Sequence, residues 1–415
     1  MPGHSDGASG CILIATIMRR RGFTGVQIHS RLLEEGIRRE GILCHRESPF
    51  SGSAMWLAMF ALRPLVLHRL NKDWSTRWYR HWHFLALREN LACHVRCHDV
   101  CAIVAESPLA ALAALQVRER CQGSFKIVLV CHFPYSQAQE FRDKGELSDP
   151  GTYRQIMELE ASVLRSVDEV VYVSNWSKQI LEEVRGIQPK SSTVIWNGIA
   201  QVVTSEQVAR RSLGLGSNDL VLINVGTLLP YKNQLGLIDL FAAIASDYPQ
   251  ARLLLVGDGP QRSAIKRKVA ARGLSQKVKL LGNRSNVPAL LDIADLYIHY
   301  ATAESFGTVL VEAARAGIPS ADVPVGGILE VQRRLQGSIP LDASHRRASL
   351  EVLKPLLDDP AMRADVGRRA QINFRRYFTQ EAMVDAYLRT LRAPAQPRNV
   401  DGVERVGDLR PAEAR

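Results

Sequence analysis

The sequence lacks a run of about 18 uncharged apolar residues, so we predict no transmembrane helix. Its first residues, MPGHSDGASG, contain no basic region followed by a long apolar stretch, and they do not indicate a signal peptide. Only seven cysteines occur in 415 residues, an odd number in a long chain, which argues against a disulfide scaffold. A G-x-x-x-x-G-K-[ST] motif is also missing, which argues against a P-loop enzyme. We therefore expect a protein of the reducing cytoplasm.

Acidic residues are too few to balance the basic ones, and the formal net charge is +11. This excess favours an anionic partner, and nucleic acid, an anionic membrane surface and a phosphorylated small molecule are all compatible with it. A basic solvated surface would give the same charge. No helix-turn-helix, zinc finger or RNP pattern is present and the basic residues are scattered, so we predict no nucleic-acid partner. Nucleic-acid binding is kept as the alternative function of a different class.

Short apolar, β-branched runs alternate with helical patterns in both halves of the chain. Continuous apolar strands between helices are typical of parallel sheets that are covered on both faces. Two such series predict an α/β fold with two Rossmann-like domains. The runs cover residues 12–17, 100–105, 127–131, 169–173 and 193–196 in the first half, and 220–225, 251–256, 278–281, 296–300 and 319–323 in the second.

These patterns predict an N-terminal domain over residues 1–200 and a C-terminal domain over residues 201–378. A last helical pattern, residues 379–392, is expected to return to the N-terminal domain. The tail, residues 393–415, is rich in Pro, Arg, Asp and Glu and has no periodicity, so we predict that it is disordered.

The segment of residues 50–91 departs from this scheme because it mixes aromatic and basic side chains. It holds Trp56, Trp74, Trp78 and Trp82 among arginines, histidines and a lysine. Aromatic rings and cations together suit a membrane interface with anionic lipid. A helical insertion whose aromatics pack on the sheet explains the same pattern. Peripheral membrane contact and a packed helical insertion are therefore the two interpretations of this segment.

Residues 93–101, CHVRCHDVC, suggest a metal site. The cysteines recur every four residues, however, whereas structural zinc sites usually show a C-x2-C pair and a second, distant pair. The segment also runs into a strand, where alternation of side chains would separate the ligands. We therefore predict no metal site.

The stretch ATAESFGTVLVE is the strongest indication of a functional site. A strand ends before it, a loop carries Glu304, and a helix begins near Phe306, Gly307 and Thr308. The N-terminus of a helix presents unbonded N–H groups and the positive end of the helix dipole, which suits a diphosphate. Glu304 and Glu312 are eight residues apart, about 12 Å in a helix, which is comparable to the distance between a sugar hydroxyl and a ribose hydroxyl on either side of a pyrophosphate. Glu304 would then accept hydrogen bonds from a donor sugar. Glu312, one turn after Thr308 on the same face, would hold a ribose.

Two glycine-containing loops follow other strands of the second half. In VGTLLPYKN, Gly226 and Thr227 permit a close turn and Lys232 offers a cation to a phosphate, although a surface lysine in a loop is an equal alternative. In VGDGPQR, Gly257 and Gly259 resemble a dinucleotide loop but lack its third glycine. We interpret them as a tight turn lining the site.

Taken together, these motifs resemble the family 4 glycosyltransferases of the GT-B fold, the retaining, group 1 type. The resemblance covers nearly all of residues 195–375 and implies two Rossmann-like domains that face each other across a cleft. It is carried by V-G-x-L-x-P-x-K-N at residues 225–233, L-V-G-x-G-P at 255–260, E-S-F-G-x-x-x-x-E at 304–312, G-I-P and V-G-G-x-x-E within 317–330, and N-G-I at 197–199.

The N-terminal half resembles the family more loosely. Gly25, in a loop after the first strand, would let the backbone approach the donor phosphate, although the family often has two adjacent glycines there. His132 follows a strand and is similar to the family's active-site histidine, expected near the transferring sugar. Thr227 stands where the family commonly has arginine. Lys232 would therefore carry more of the charge on the diphosphate, or Arg262 or another residue would substitute.

The resemblance implies a hexosyltransferase that moves a sugar from a nucleoside diphosphate sugar to a glycan or lipid-linked acceptor, with retention, in polysaccharide or glycolipid biosynthesis. We predict His132, Glu304 and Lys232 as its catalytic residues. No D-x-D cluster is present, so we expect neither a metal nor another cofactor. We expect a cytoplasmic protein, and the membrane-interface interpretation of residues 50–91 would place it at the inner face of the membrane. A nucleotide-sugar epimerase of the same fold is the alternative enzyme.

Overall fold

The computed structural model describes residues 10–20, 22, 24–52, 56, 59–60, 67–201 and 210–393. The chain divides into two compact units, Met1–Trp196 with Gln380–Arg415, and Asn197–Thr379. Each unit contains one six-stranded sheet in which every neighbouring pair is parallel. The tail that we predicted to be disordered lies, from residue 394 onward, outside the described residues.

The sheet of the first unit has the strand order β2-β1-β3-β4-β5-β6. Because the order reverses at β1, the carboxyl ends of β1 and β3 form a topological switch point, where ligands bind in open α/β sheets. The predicted apolar runs are all strands, whereas β2, the edge strand CHRE with two charged residues, was missed. The strands are β1 Cys11–Ala15, β2 Cys44–Glu47, β3 Val100–Ala105, β4 Lys126–Cys131, β5 Glu169–Tyr172 and β6 Ser192–Val194.

Helices cover this sheet, and several begin at a polar cap. Ser107, Ser136 and Asp149 each accept a hydrogen bond from a backbone N–H in the first turn, which replaces a missing intrahelical partner. The helix after β3 is rich in alanine and leucine and buried along most of its length. The helices are α1 Gly25–Arg39, α2 Lys72–Cys97, α3 Pro108–Arg120, α4 Gln137–Asp143, α5 Pro150–Ser166 and α6 Asn175–Gln179.

The second unit has the strand order β12-β11-β10-β7-β8-β9. Its switch point lies between β7 and β10, so the loops after these two strands meet at one edge of the sheet. The short edge strand β12 was not predicted. The strands are β7 Leu220–Val225, β8 Ala251–Val256, β9 Val278–Gly282, β10 Leu296–His299, β11 Ser320–Asp322 and β12 Ser338–Pro340.

Seven further helices lie within the described residues of the second unit, and leucine and isoleucine side chains from them and from the strands form its core. They are α7 Gln234–Asp247, α8 Arg262–Ala271, α9 Val287–Asp292, α10 Thr308–Ala316, α11 Ile328–Leu335, α12 Arg346–Asp358 and α13 Pro360–Tyr377.

The last helix, α14 (Gln380–Arg392), belongs to the first unit and packs on α1. Gln380 Nε2 donates a hydrogen bond to the carbonyl oxygen of Leu32 at 2.6 Å. A Cβ atom on Gly36 would lie 2.3 Å from Val384 Cγ2, so glycine is what allows the two helices to approach so closely.

In the aromatic and basic segment, most described rings pack on one another or on the sheet. The ring centroids of Trp78 and Trp82 are 5.4 Å apart, and Phe84 is buried in the core of the unit. The Trp74 ring is an exception, because 60% of its surface is exposed, and the nearby Leu70 side chain is 77% exposed. Residues 53–55, 57–58 and 61–66 of this segment lie outside the described residues. Across the described part of the chain, no helix combines the length and the apolar character needed to cross a membrane.

Candidate functional site

The carboxyl ends of β7 and β10 bring Glu304 and Lys232 together. Lys232 Nζ donates a hydrogen bond to Glu304 Oε2, and His299 Nε2 lies 3.4 Å from the same oxygen. The Tyr297 hydroxyl, 2.9 Å from His299 Nδ1, holds the imidazole in place. Burial would raise the pKa of Glu304, but the Lys232 ammonium and the His299 ring outweigh burial and hold that pKa well below its usual range. Glu304 is therefore ionised at neutral pH.

Local backbone geometry explains why Lys232 reaches this position. It ends a short 3-10 turn, Pro230–Lys232, and the next residue, Asn233, has a φ of 52° and accepts a hydrogen bond from the Gly236 N–H to cap α7. The Thr302 N–H donates to the Tyr231 carbonyl at 2.7 Å and joins the loop after β7 to the loop after β10. The lysine is thus held between a helix cap and a neighbouring loop.

The helix α10 begins directly after Glu304's loop. Gly307 stands at its N-cap with a φ of 84°, and a Cβ atom there would lie 2.3 Å from Ile328 Cδ1. The buried ring of Phe306 anchors the loop against Phe378, with 6.1 Å between their ring centroids. No side chain among the described residues caps this helix, so its first N–H groups are available to an anion.

Glu312 lies on α10, one turn after Thr308, and both side chains are partly buried. Burial raises the pKa of Glu312 to about 7, although Arg315 opposes this shift. At neutral pH this carboxyl group therefore exists in both protonation states, in contrast to Glu304.

The two predicted glycine loops pack against each other. The Gly226 N–H donates to the Val256 carbonyl at 2.9 Å. Gly257 has a φ of 133°, and a Cβ atom there would lie 2.0 Å from Gly226 O; one on Gly259 would lie 2.7 Å from Leu228 O. Gly257 and Gly259 thus have a packing role, whereas a Cβ atom on Gly226 would meet no atom of the structure within 4 Å.

Thr227, in the position where the family commonly has arginine, is exposed, and its carbonyl accepts a hydrogen bond from Gln234 Nε2 at 3.2 Å. Arg262, the suggested substitute, lies 3.4 Å from Asp258, one helical turn away. Among these residues Lys232 is the cation that the structure brings to Glu304.

The first unit contains a second polar constellation, centred on Glu106 at the end of β3. Glu106 Oε2 lies 2.6 Å from His132 Nε2, and Glu106 Oε1 lies 3.1 Å from His29 Nδ1. The Tyr387 hydroxyl is 3.2 Å from His29 Nε2 and extends the network to α14. His132, predicted from its place after β4, therefore lies at one end of a buried chain of hydrogen bonds.

Burial and charge act in opposite directions on this network. Burial would raise the pKa of Glu106, but the adjacent His29 and His132 lower it to about 2. Burial lowers the pKa of His132, although Glu106 opposes this. The structure therefore favours an ionised Glu106 with a neutral His132, whose Nε2–H donates to the carboxylate.

Sequence reasoning missed Glu106, His29 and Tyr387. Glu106 had one detectable feature, because it is a polar residue directly after the apolar run of β3. The ligand atoms of His29, Glu106 and His132 lie within 4.8 Å of one another and could hold a metal ion. The 2.6 Å separation between His132 Nε2 and Glu106 Oε2 is a hydrogen-bond distance, and we interpret the group as a hydrogen-bonded network.

Gly25 is the first residue of α1, after the capping residue Thr24. It is exposed, and a Cβ atom there would meet no atom of the structure within 4 Å. Packing among the described residues does not explain a glycine here, and a role in donor binding stays a prediction.

Two family models match the chain in succession. The model described as Glycosyltransferase Family 4 matches residues 24–201, and the model described as Glycosyl transferases group 1 matches residues 205–372. The chain belongs to the family 4 glycosyltransferases. The family predicted from the sequence motifs is confirmed.

Relatives of this chain include N-acetyl-alpha-D-glucosaminyl L-malate synthase of Bacillus anthracis. The two are 30% identical over 178 residues, which are 43% of this chain and 46% of that protein. The GPI3 subunit of phosphatidylinositol N-acetylglucosaminyltransferase of Saccharomyces cerevisiae is 30% identical over 176 residues, 40% of this chain and 38% of the subunit. The chain spans less than half the length of these two curated relatives.

Solved structures show the same fold. Anabaena HepE, in complex with UDP and glucose, has a TM-score of 0.69 at 18% identity and covers 93% of this chain and 100% of its own. WaaG, a glycosyltransferase involved in lipopolysaccharide biosynthesis, has a TM-score of 0.64 at 16% identity and covers 90% of this chain and 99% of its own. The predicted fold class, two Rossmann-like domains of the GT-B type, is confirmed.

Proposed function

We propose that this family 4 glycosyltransferase moves a sugar from a nucleoside diphosphate sugar to a glycan or lipid-linked acceptor, with retention of configuration. One observation carries the proposal: an ionised, partly buried Glu304 is paired with Lys232 at the switch point of the second sheet, directly before the N-terminus of α10. A carboxylate, an ammonium group and unbonded helix N–H groups are the groups that a sugar and a diphosphate require.

Donor binding changes the partners of this pair. Lys232 turns from Glu304 to the diphosphate, whose charge the N-terminal N–H groups of α10 share. Glu304 then accepts hydrogen bonds from hydroxyl groups of the sugar. Glu312 accepts from the ribose hydroxyls in its ionised form. The structure of HepE with UDP-glucose supports a nucleotide sugar as the ligand of this fold.

Negative charge develops on the leaving diphosphate as the glycosidic bond to it breaks. Donors that are already aimed at this charge lower the barrier without reorganisation during the reaction. Lys232 and the α10 N-terminus supply such donors, so we propose that the reaction proceeds without a metal ion. Gly226, Gly257 and Gly259 would keep the backbone of the two loops close to the donor.

His132 is the catalytic residue that we propose in the first unit. The Glu106 carboxylate accepts its Nε2–H, which fixes one orientation and one tautomer of the ring, and the ring would face the sugar or the acceptor. We assign no carboxylate of the described residues as a covalent nucleophile. We therefore propose that the acceptor attacks the sugar on the same face from which the diphosphate leaves. Gly25 would let the backbone approach the donor phosphate.

The names of the relatives favour a lipid or a glycan as the acceptor. The yeast relative is a subunit of a phosphatidylinositol N-acetylglucosaminyltransferase, and LpsD of Rhizobium meliloti is a lipopolysaccharide core biosynthesis glycosyltransferase. We propose that the chain works in polysaccharide or glycolipid biosynthesis at the cytoplasmic face of a membrane. The exposed Leu70 and Trp74 would contact the lipid surface.

The test begins with thermal-shift screening of nucleotide sugars, because a ligand that binds only the folded state raises its apparent stability. The hit is then assayed for sugar transfer with wild type, Glu304→Ala and Lys232→Ala. Lys268→Ala is the matched control, because Lys268 forms a comparable pair with Asp239 on the helices of the same unit.

We expect both site variants to lose transfer and Lys268→Ala to keep it. Wild-type rates in Glu304→Ala and Lys232→Ala would refute the assignment. Release of an altered sugar nucleotide without any acceptor would identify an epimerase instead.

A further inference from the structure

A cluster of cysteine and histidine residues lies at the amino ends of β1 and β2. Cys11 is the first residue of β1, His45 is the second residue of β2, and His94 lies in the last turn of α2. One ligand atom of each lies within 4.8 Å of those of the other two. The three residues are 34 and 49 positions apart in the chain, and no short motif joins them.

The fold explains how they meet. The strands β1 and β2 are parallel neighbours, and Leu13 lies opposite His45. Side chains at alternate positions of a strand share a face, so Cys11, Leu13 and His45 lie on the same face of the sheet. The helix α2 packs on this face through residues such as Leu91, and its end places His94 beside the cluster.

The cluster is separate from the proposed active site. Glu106 and His132 follow the carboxyl ends of β3 and β4, whereas Cys11 and His45 are at the amino ends of β1 and β2. Because all strands of this sheet are parallel, their amino ends lie on one side of the sheet and their carboxyl ends on the other, so the two sets of residues are at opposite ends of the strands.

The contacts of His94 resemble those of a metal ligand. Its Nδ1 lies 3.3 Å from Glu47 Oε1, while its Nε2 is buried and has no hydrogen-bond partner among the described residues. Metal-binding histidines usually donate one ring N–H to a carboxylate, which orients the other nitrogen toward the ion. A buried ring nitrogen without a partner is otherwise unfavourable.

We propose that Cys11 Sγ, His45 and His94 Nε2 bind one divalent ion of the zinc type, with water in the fourth position. Thiolate and imidazole are the ligands that zinc prefers, and three protein ligands with one open position are an established arrangement. Ligand atoms around a tetrahedral zinc ion are roughly 3.3–3.8 Å apart, so the three side chains approach one another by about 1 Å on binding. The Cys11 thiol releases its proton to water as the zinc–sulfur bond forms.

Neighbouring side chains permit this movement. Arg38 Nη2 is 3.5 Å from His45 Nδ1, at the limit of a hydrogen bond, while Glu34 and the Cys44 carbonyl hold the same guanidinium group at 3.1 and 2.6 Å. The His45 ring can therefore turn away without releasing Arg38 from its other partners. The bound ion would connect the end of α2 to the edge of the sheet.

The expected ligand set differs from the one that the segment 93–101 suggested. Cys93 and Cys97 are exposed and belong to no group of three possible ligands among the described residues. Only His94 of that segment takes part, and its partners come from β1 and β2.

The experiment uses the full chain after removal of metal by a chelator. Cobalt(II) replaces zinc as a spectroscopic probe, because a cysteine ligand gives a thiolate-to-cobalt charge-transfer band and tetrahedral coordination gives intense visible bands. We expect one cobalt ion per chain, displacement of it by zinc, and a higher melting temperature with zinc. Absence of the charge-transfer band from the wild-type chain would overturn the proposal, without reference to any variant.

Variants identify the ligands. Cys11→Ser should remove the charge-transfer band, and His94→Ala or His45→Gln should weaken cobalt binding at least tenfold. Cys93→Ser and His345→Ala, at exposed positions, are the matched controls and should leave binding unchanged. A band that persists in Cys11→Ser would place the ion elsewhere and refute the ligand set. Circular dichroism confirms the fold of each variant, and the result is independent of sugar transfer.

Discussion

Replacement of Glu106 by glutamine tests whether this carboxylate controls His132. The ionised side chain now accepts from His132 Nε2 at 2.6 Å and lies 3.1 Å from His29 Nδ1. A glutamine has one acceptor oxygen and one NH2 group, so it can satisfy only one of two N–H donors. Glu106→Gln therefore keeps the volume of the side chain and removes one charge-assisted hydrogen bond.

The magnitude follows from that lost bond. A hydrogen bond to a charged group contributes about 1.5–3 kcal/mol. Since about 1.4 kcal/mol corresponds to a factor of ten, we expect transfer by Glu106→Gln to fall roughly 10- to 100-fold if His132 acts in the transition state. The effect should be mainly on kcat, because the network does not include the groups proposed to bind the nucleotide.

The pH profile separates control of His132 from a general loss of structure. The negative charge of Glu106 opposes the lowering of the His132 pKa by burial, so its removal should lower that pKa further. If neutral His132 is the active form, the acidic limb of the rate profile moves to lower pH in Glu106→Gln. The measurements are initial rates between about pH 5 and 8 and an NMR titration of the His132 ring.

The matched control is Glu160→Gln, which alters another fully buried carboxylate of the first unit. Burial raises the pKa of Glu160 to about 7, although Arg185 opposes this, so an amide resembles its protonated form. We expect the wild-type pH profile in this variant. An unchanged rate in Glu106→Gln, or a rate that falls equally at every pH with no change in the pKa of His132, would refute the reasoning.

Three further predictions concern other parts of the chain. Burial raises the pKa of Glu312 to about 7, and only its ionised form accepts two ribose hydrogen bonds, so nucleotide affinity measured by calorimetry should rise from pH 6 to pH 8. In Glu312→Gln we expect the affinity to be independent of pH. The same pH independence in the wild-type chain would contradict the prediction. Gly307→Ala should lower the free energy of unfolding by more than the about 1–3 kcal/mol that an alanine in a left-handed conformation costs, because its Cβ would also lie 2.3 Å from Ile328 Cδ1. The control in denaturant titrations is Gly273→Ala, because Gly273 has a φ of 68° but no atom within 4 Å of the added Cβ. Equal losses of stability in the two variants would refute the steric argument. Trp74→Ser should reduce sedimentation with anionic vesicles, whereas Ile372→Ser, at an exposed position of the second unit, should not. Equal vesicle binding by both variants would show that Trp74 does not contact lipid.

Much of the second unit could be predicted from the sequence because its site is local. Glu304, Gly307 and Glu312 lie on one loop and the helix after it, so their spacing in the chain sets their spacing in the fold. Strand-ending glycines at residues 226 and 257 are recognisable for the same reason. Apolar runs likewise predicted the central strands and the edge strands β6 and β9, whereas the edge strands β2, CHRE, and β12, SIP, contain no continuous apolar run and were missed.

Contacts between distant segments could not be predicted in this way. The sequence placed Lys232 in a loop but did not reveal its pairing with Glu304, 72 positions away, which depends on β7 and β10 being neighbours in the sheet. His132 was found from its place after a strand, whereas Glu106 and His29 were not, because only the parallel alignment of β3 and β4 and the packing of α1 make them its partners.

The amino-acid sequence by itself determined the family, the two series of parallel strands and the loop–helix that is proposed to hold the diphosphate, because each of these depends on residues close together in the chain. The tertiary structure alone decided which charged groups are paired, which carboxyl groups are ionised at neutral pH, and that Cys11, His45 and His94 meet. The physical reason is that pairing and pKa depend on distance and burial in space, which strand order and helix packing set and sequence separation does not.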